Sequence, residues 1–534
     1  MMHFEGVLLI ILCATRSSLA DVDDPTLVTL PEGQIRGHAL QSPDNNIYYA
    51  FQDIPYAAPP VGTLRFQAPV APEKWNGILN TTKNEKICYQ SGAFLELPDE
   101  LKQTEDCLYL NVYTPLVPED TSQTPLPVLV WIHGGGFLNG ASAIQIYNPE
   151  LFIDHNIVVV TINYRMGPLG FLATEDGVIP GNLGLKDQHL ALQWIKRNID
   201  LFGGDPEKIT ISGESAGGVS AGLQLISKRN KDLFRGVILQ SGTALCQLAH
   251  QDYARFYAFE LGRSLDPTFT SDDSAELLEL LQSVSASDIS VNNITADIGK
   301  ETDLLEGEGY IWLPVVEGSN IEGALLTTPY HEDIKNGNIN QVPIIIGFNS
   351  EEILTFMKDY PSMPEARAEY LDNDLSNLVG NKFNMTAANK LTAGTKLREI
   401  YTEGTFEDDL GEVVKFFSDE TFTTPIIRHA KLQSNYTDVF LYQFSYKGRM
   451  GSFKDMEVAG VQGVGHGEDA GYLWDAHFSV YEPPDDPEDV VIRHRLLTLW
   501  SNFVKYLNPT PDDDNSMLGN VTWNKVTPNN LVYL

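Results

Sequence analysis

The chain has few basic residues for its length. Among 534 residues, Lys and Arg total 36 and Asp and Glu total 72, so the formal net charge is −36 at pH 7. An excess of negative charge repels nucleic acid phosphates and anionic lipid headgroups. We therefore expect neither nucleic acid nor an anionic membrane surface as a partner.

The sequence also has no hydrophobic run long enough to span a membrane. The apolar stretch Val7–Ala14 is much shorter than the roughly 20 residues that a transmembrane helix needs. Small residues at Ser17–Ala20 follow it, so we interpret residues 1–20 as a signal peptide and expect a secreted, extracellular protein. An N-terminal anchor is the alternative. No apolar tail follows Val521, which argues against a lipid-anchor signal.

Cysteine is scarce, with four residues in the chain. Removal of the signal peptide would take away Cys13. Cys88 and Cys107 are close in sequence and could close a loop in an oxidising compartment, which would leave Cys246 as a buried free thiol. Secretion also makes the Asn-x-Thr sequons candidate glycosylation sites. These sequons begin at Asn80, Asn293, Asn384, Asn435 and Asn520.

No internal repeat or low-complexity segment is present, but apolar runs recur from Leu126 onwards. Such near-continuous runs are typical of strands buried on both faces of a parallel sheet. A pattern with apolar residues on one helical face, Leu185–Ile199, lies between two of them, and the alternation predicts a doubly wound α/β sheet. The acidic, Pro-rich stretch Glu482–Asp489 is expected to be a surface loop before a final helix, Val490–Tyr506. The runs are Val128–Ile132, Ile157–Ile162, Ile209–Ile211, Val237–Leu239 and Ile344–Ile346.

Gly213–Gly217 has the pattern Gly-x-Ser-x-Gly between a strand-like run and a helix-like run. This pattern is typical of a nucleophile elbow, in which glycines allow a sharp turn and the serine oxygen stands exposed at the end of the strand. We therefore predict that Ser215 is a nucleophile. A Gly/Ser-rich turn without chemistry is the alternative, and other segments decide between the two.

His133–Phe137 contains three consecutive glycines directly after the run that ends at Ile132. Without side chains over their amides, these residues can bring N–H groups within about 3 Å of a developing negative oxygen. The predicted oxyanion-hole donors are the N–H groups of Gly135, Gly136 and Ala216, the last being the residue after the nucleophile. A tight turn that merely requires glycine is the alternative.

An acid and then a histidine base are expected downstream of the serine, because Ser, acid, His is the chain order of the triad in folds with this nucleophile elbow. Glu351 and Glu352 follow the run Ile344–Ile346, and the residues alone do not separate them. One of the two is then expected to be a solvated loop carboxylate. The predicted base is His466, in the Gly-rich segment 463–467. His477 is its rival, whereas His429 and His494 lie beside arginines in helix-like segments and are expected at the surface.

With these segments the chain resembles type-B carboxylesterases, the family that also contains cholinesterases, insect juvenile hormone esterases and odorant-degrading esterases. The resemblance extends from about Pro31 to about Leu507 and implies the α/β-hydrolase fold. It is carried by the segments above together with Phe51–Ala57, Leu64–Phe66, Glu105–Asn111 and Gly181–Gln188.

The resemblance implies specific residue roles. It places the triad acid on Glu352, supports His466 as the base and supports a Cys88–Cys107 disulfide. It also implies a buried polar network around the triad and aromatic residues in the substrate pocket. For the network residues, a purely structural hydrogen bond is the alternative. For the pocket residues, the alternative is core packing. The network residues would be Glu214, Ser241 and Asp469, and the pocket residues Tyr310 and Trp312.

Three departures from the family narrow the expectation. The Cys88–Cys107 loop has no tryptophan, whereas cholinesterases use one there to bind a quaternary ammonium by cation–π attraction. Glu214 stands where many juvenile hormone esterases have glutamine, which mildly disfavours a juvenile hormone esterase. The partner region expected for Cys246, 264–267, contains no cysteine.

We therefore predict a secreted serine carboxylesterase that acts through an acyl-enzyme on Ser215, with no metal and no organic cofactor. Because residues 215, 352 and 466 must meet in one site, residues 21–534 are expected to form a single domain. The alternatives are a catalytically inactive cholinesterase-like adhesion or binding protein, and an enzyme with juvenile hormone esterase, lipase or peptidase specificity. The physiological ester and the oligomeric state are left open by the residues.

Overall fold

The computed structural model describes most of the chain, and the site and its supporting elements fall within the described part. The described residues are 24–91, 97–292, 310–357, 363–380, 383, 385–450, 458–474, 486–511, 518–519 and 521–534. The predicted signal peptide, three of the sequons (Asn293, Asn384 and Asn520) and His477 lie outside them.

Strands of mostly apolar residues build the centre of the molecule. In chain order they are β1 (Leu27–Thr29), β2 (Gln34–Arg36), β3 (His38–Gln41), β4 (Ile47–Pro55), β5 (Ile78–Asn80), β6 (Lys86–Cys88), β7 (Lys102–Thr104), β8 (Tyr109–Thr114), β9 (Leu126–Ile132), β10 (Val158–Ile162), β11 (Gly204–Glu214), β12 (Gly236–Gln240), β13 (Ile344–Asn349) and β14 (Val439–Phe444).

Within the described residues, nine of these strands form one sheet in the order β14-β13-β12-β11-β9-β10-β8-β4-β3. The six strands from β14 to β10 are parallel, and β8, β4 and β3 continue the sheet antiparallel. The apolar runs predicted as buried parallel strands all belong to the parallel part. This mixed, mostly parallel sheet flanked by helices is the α/β-hydrolase fold that the resemblance implied.

Helices cover both faces of the sheet, and the two largest groups of buried apolar side chains lie on its opposite sides. The helices are α1 (Glu150–Asp154), α2 (Gly167–Phe171), α3 (Leu183–Asn198), α4 (Ala216–Ile226), α5 (Ala254–Leu265), α6 (Ser274–Ser283), α7 (Ala286–Val291), α8 (Tyr330–Lys335), α9 (Leu354–Met357), α10 (Met363–Asn373), α11 (Ala387–Tyr401), α12 (Leu410–Ser418), α13 (Thr424–Gln433), α14 (Ala470–Leu473) and α15 (Pro487–Tyr506). None of the helices in the described ranges is both long and apolar enough to cross a membrane.

The last helix begins earlier than the sequence indicated. Asp486 caps α15 by accepting the N–H of Glu488 at 2.9 Å, and Pro487 occupies the first helical position, where its missing N–H costs nothing. Asp489, expected in a surface loop, is fully buried and accepts a hydrogen bond from the Tyr446 hydroxyl at 3.0 Å. The prediction that 482–489 is entirely a surface loop is therefore wrong for residues 487–489.

The disulfide prediction is confirmed. Cys88 and Cys107 are bonded, with 4.9 Å between their Cα atoms, and Cys246 is a buried free thiol. Burial raises the pKa of the Cys246 thiol to about 12. Asn80 and Asn435, the sequon asparagines within the described residues, are both exposed, so glycosylation at these two stays a prediction that their position allows.

Candidate functional site

The carboxyl ends of the parallel strands bring the predicted site segments to one edge of the sheet. Gly213 on β11 pairs in register with Ile132 on β9 and with Leu239 on β12, and Leu239 pairs with Ile346 on β13. The loops that follow these four strands therefore begin side by side. This edge of an open parallel sheet is where ligands bind in α/β proteins.

Ser215 occupies a strained turn between β11 and α4. Its backbone has φ 58° and ψ −126°, a region that non-glycine residues adopt only when the surrounding structure holds them there. The Ser215 N–H donates to Gln240 O at 2.9 Å, which ties the turn to β12. A Cβ on Gly217 would lie 2.0 Å from Ile132 O, and one on Gly213 would lie 2.3 Å from the Gly217 carbonyl carbon. Neither position has room for a side chain, because other backbone atoms lie too close.

His466 is held by Glu352. Its Nδ1 lies 2.5 Å from Glu352 Oε2, and its backbone N–H donates to Glu352 O at 3.1 Å. The Glu352 side chain is fully buried, and its Oε1 accepts the Ser241 hydroxyl at 2.6 Å and the Asn349 N–H at 2.7 Å. These two donors fix the position of the carboxylate. The carboxylate in turn orients the imidazole with its Nε2 directed away from Glu352.

The Nε2 atom of His466 faces the serine turn. It lies 3.1 Å from Oε1 of Glu214, the residue directly before Ser215. Among the described residues neither atom has a hydrogen-bond partner, and their contact becomes an ion pair when the imidazole is protonated. Burial raises the pKa of Glu214 to about 7. Burial alone would lower the pKa of His466, but the carboxylates of Glu214 and Glu352 outweigh it and hold that pKa above its ordinary value.

The glycine loop after β9 packs directly on this turn. A Cβ on Gly134 would lie 2.9 Å from Glu214 Oε2 and 3.1 Å from Ser215 Cβ. Gly135 and Gly136 have φ values of +100° and +63°, in the left-handed region that favours glycine. Ala216 begins α4. The predicted oxyanion-hole residues therefore lie around the Ser215 turn, on two segments in contact.

Asp469 belongs to a buried polar network behind the residues predicted to form the triad. Its carboxylate accepts the Tyr442 hydroxyl at 2.7 Å, the Gln240 side-chain amide at 2.9 Å and the Asn349 side-chain amide at 3.2 Å. The Asn349 amide also reaches the Ser241 hydroxyl at 3.3 Å, which continues the network to Glu352. The three predicted network residues Glu214, Ser241 and Asp469 are thus brought together around Glu352 and His466.

Aromatic side chains enclose the same region, and the sequence had singled out only some of them. Tyr310 lies against the glycine loop, because a Cβ on Gly136 would lie 2.2 Å from its ring, and Trp312 is buried in the main core. The His466 ring packs on Phe422 at 4.6 Å and on Phe356 at 5.4 Å between centroids. Phe356 also packs edge-on against Tyr310. No local pattern marked Phe356 or Phe422, which reach the site through tertiary packing.

Two expectations about single residues are wrong. His429 is fully buried in α13, where its ring contacts the Thr243 hydroxyl and the Gln433 side chain, so it is not at the surface. Glu351 is only 5% exposed and binds backbone N–H groups, so it is not a solvated carboxylate. His494 is exposed, as expected.

Residues 24–534 match the family model described as the carboxylesterase family. The chain is 32% identical to a juvenile hormone esterase of Heliothis virescens, with 91% of this chain and 86% of that protein covered. It is 31% identical to venom carboxylesterase-6 of Apis mellifera, with 98% and 91% covered. Among solved structures, it is similar to the crystal structure of juvenile hormone esterase from Manduca sexta with OTFP covalently attached. The TM-score is 0.81 at 28% identity, covering 95% of this chain and 94% of that one.

Proposed function

The chain belongs to the carboxylesterase family and is a carboxylic ester hydrolase, and from that premise we propose that it is a secreted serine esterase with the triad Ser215, Glu352 and His466. The observation that carries the proposal is the 2.5 Å contact between His466 Nδ1 and Glu352 Oε2, with the opposite ring nitrogen turned toward the Ser215 segment. The proposed mature chain is residues 21–534, folded as one domain.

The first chemical step uses His466 as a general base. Its Nε2 takes the proton from the Ser215 hydroxyl while the oxygen attacks the ester carbonyl carbon. Glu352 stays ionised, keeps the Nδ1–H tautomer in place and stabilises the imidazolium that forms. The negative charge that develops on the carbonyl oxygen is held by the N–H groups of Gly135, Gly136 and Ala216.

In the steps that follow, His466 acts first as a general acid and then again as a general base. His466 gives its proton to the alcohol oxygen as the bond between that oxygen and the acyl carbon breaks. The alcohol departs, and the acyl group stays bonded to the Ser215 oxygen. Water then enters, loses a proton to His466 and attacks the acyl carbon. As the second tetrahedral intermediate collapses, the bond between the acyl carbon and the Ser215 oxygen breaks, His466 returns its proton to that oxygen, and the acid leaves.

The serine can be tested with a matched pair of variants. Ser215→Ala should abolish turnover of a simple aryl ester, because no acyl-enzyme can form. Ser212→Ala on β11, which removes a buried hydroxyl without a hydrogen-bond partner among the described residues, should keep its rate. An organophosphate should give one stoichiometric adduct on Ser215, read by peptide mass spectrometry. Turnover retained by Ser215→Ala would refute the assignment of Ser215 as the nucleophile, whereas no adduct on the wild type would favour a non-catalytic binding protein.

Juvenile hormone hydrolysis is a second candidate, favoured by the names of the relatives and of the similar structure. Glu214, where many such esterases have glutamine, weighs against it. Turnover of juvenile hormone should be compared with that of acetate, longer-acyl and methyl esters, and covalent labelling by OTFP should be tested on Ser215. Detection of the protein in culture medium with its N-terminus at Asp21 would support secretion and cleavage.

A further inference from the structure

The turn after β13 carries two adjacent glutamates that serve the same loop in different ways. Glu352 holds the His466 side chain. The Glu351 carboxylate accepts backbone N–H groups of that loop, from Val464 to Oε2 at 3.1 Å and from Gln462 to Oε1 at 3.3 Å. The Ser350 hydroxyl donates to Glu351 Oε2 at 2.7 Å and fixes the carboxylate itself.

Backbone hydrogen bonds reinforce this arrangement. Glu351 N–H donates to Val464 O at 3.0 Å, and the hydroxyl of Thr355 in α9 donates to His466 O at 2.9 Å. The loop needs such restraint, because Gly463 has φ +87° and glycine has the greatest backbone freedom of any residue. Hydrogen bonds to an ionised carboxylate are about twice as strong as those between neutral groups. Glu351 thus contributes the two charge-assisted bonds described here to the backbone of residues 462–464.

We propose that Glu351 is a positioning residue for ester hydrolysis. It fixes the backbone of 462–466 so that the imidazole stays between Glu352 and the Ser215 turn. The inference rests on the proposed role of His466 as the base. Glu351 acts on the reaction only through that loop.

The test begins with Glu351→Gln, which preserves shape but leaves one acceptor oxygen in place of two. At least one loop N–H then loses its acceptor. With the rate expressed per active site by burst titration, kcat for a small aryl ester should fall about tenfold or more, because small displacements of a catalytic group have large effects on rate. KM should stay within about twofold, since Glu351 does not touch the substrate.

Asp53→Asn provides the matched control. Asp53 also accepts two backbone N–H groups, from Glu85 at 2.9 Å and from Lys86 at 3.2 Å, but it lies on β4 in the antiparallel part of the sheet. Its substitution should lower the melting temperature as Glu351→Gln does and leave kcat per active site unchanged. An equal fall of kcat in both variants would overturn the proposal, because general destabilisation would then account for the effect.

A double-mutant cycle with Glu352→Gln separates positioning from a merely structural role. In Glu352→Gln the carboxylate no longer orients the imidazole, so the backbone position of the loop matters less for catalysis. Glu351→Gln should therefore reduce kcat by a smaller factor in that background. Equal factors in both backgrounds would contradict the proposal. If Glu351→Gln does not accumulate as folded protein, Glu351→Asp takes its place: a lowered kcat supports the proposal and a wild-type kcat overturns it.

The Ser215→Ala variant distinguishes the two levels of inference. If it retains turnover, the proposed function fails and the role of Glu351 fails with it. If it is inactive while Glu351→Gln has wild-type kcat, only the positioning role is wrong.

Discussion

At the scale of single residues, charge around His466 determines the pH at which the site can work. As the proposed base, His466 must be neutral to accept the serine proton, yet Glu214 and Glu352 favour its charged form and raise its pKa. Glu214 is 3.1 Å from Nε2, on the side of the ring that must receive the proton. The acid limb of kcat/KM, which reports the free enzyme's base, should therefore lie above the pH expected of an ordinary histidine.

Glu214→Gln should move that acid limb to lower pH. Removing the Glu214 carboxylate should lower the His466 pKa by about one unit or more, so the imidazole becomes neutral at a lower pH. The measurement is kcat/KM against pH for an aryl ester. Glu207→Gln on the same strand, where the side chain is 79% exposed, is the control and should leave the limb in place. A limb unmoved or raised in Glu214→Gln would show that Glu214 does not set this pKa.

At the scale of elements, a five-residue π-helical segment, Asp419–Thr423, lies between α12 and α13 and carries Phe422. Such segments are rare and occur often at functional sites. Here the segment places Phe422 against the His466 ring, with Phe356 from α9 stacked beyond it at 6.0 Å. Phe422, Phe356 and Tyr310 together form an aromatic wall from His466 to the glycine loop.

This aromatic wall should restrict the size of the group that lies between His466 and the oxyanion donors. Phe422→Leu should therefore raise kcat/KM for longer-acyl esters relative to acetate by about tenfold, the order of discrimination that a filled apolar pocket provides. A series of aryl esters of increasing acyl length measures the effect. Phe416→Leu, the same change at a buried residue of α12, should leave the preference as it is. An unchanged preference in Phe422→Leu would remove this residue from the substrate pocket.

At the scale of the whole molecule, the sheet is formed by segments far apart in sequence, and a disulfide restrains the N-terminal part. The bridge closes a loop of sequence separation 19 beside the antiparallel strands. In the chain-entropy model such a loop stabilises the fold by about 3 kcal/mol, through the unfolded state.

Replacing both Cys88 and Cys107 by alanine should lower the free energy of unfolding by about 3 kcal/mol. Equilibrium urea unfolding measures it, and kcat at low temperature should be retained because neither residue belongs to the proposed triad. Reductant should shift the midpoint of the wild type and of Cys246→Ala equally. A reductant effect that survives in the double alanine variant would point to another cause.

The sequence by itself identified the segments that carry the candidate catalytic side chains, and the order of these segments along the chain. Alternation of apolar runs with a helical face predicted the sheet, and the glycines around Ser215 and at 134–136 predicted turns that only glycine can form. Those signals are local, because periodicity and backbone sterics depend on neighbouring residues. The roles of Glu352, Ser241 and Asp469 came from the resemblance, since no local pattern separates one loop carboxylate from the next.

Tertiary structure decided what surrounds each side chain. Glu351 and His429, expected in solvent, are buried because distant segments, residues 462–464 and Thr243, supply their partners. Phe356 and Phe422 came to His466 in the same way. Burial and partner choice depend on residues brought together only by folding. For that reason the sequence alone indicated a nucleophile, an acid and a base, whereas the fold determined which neighbours tune and position them.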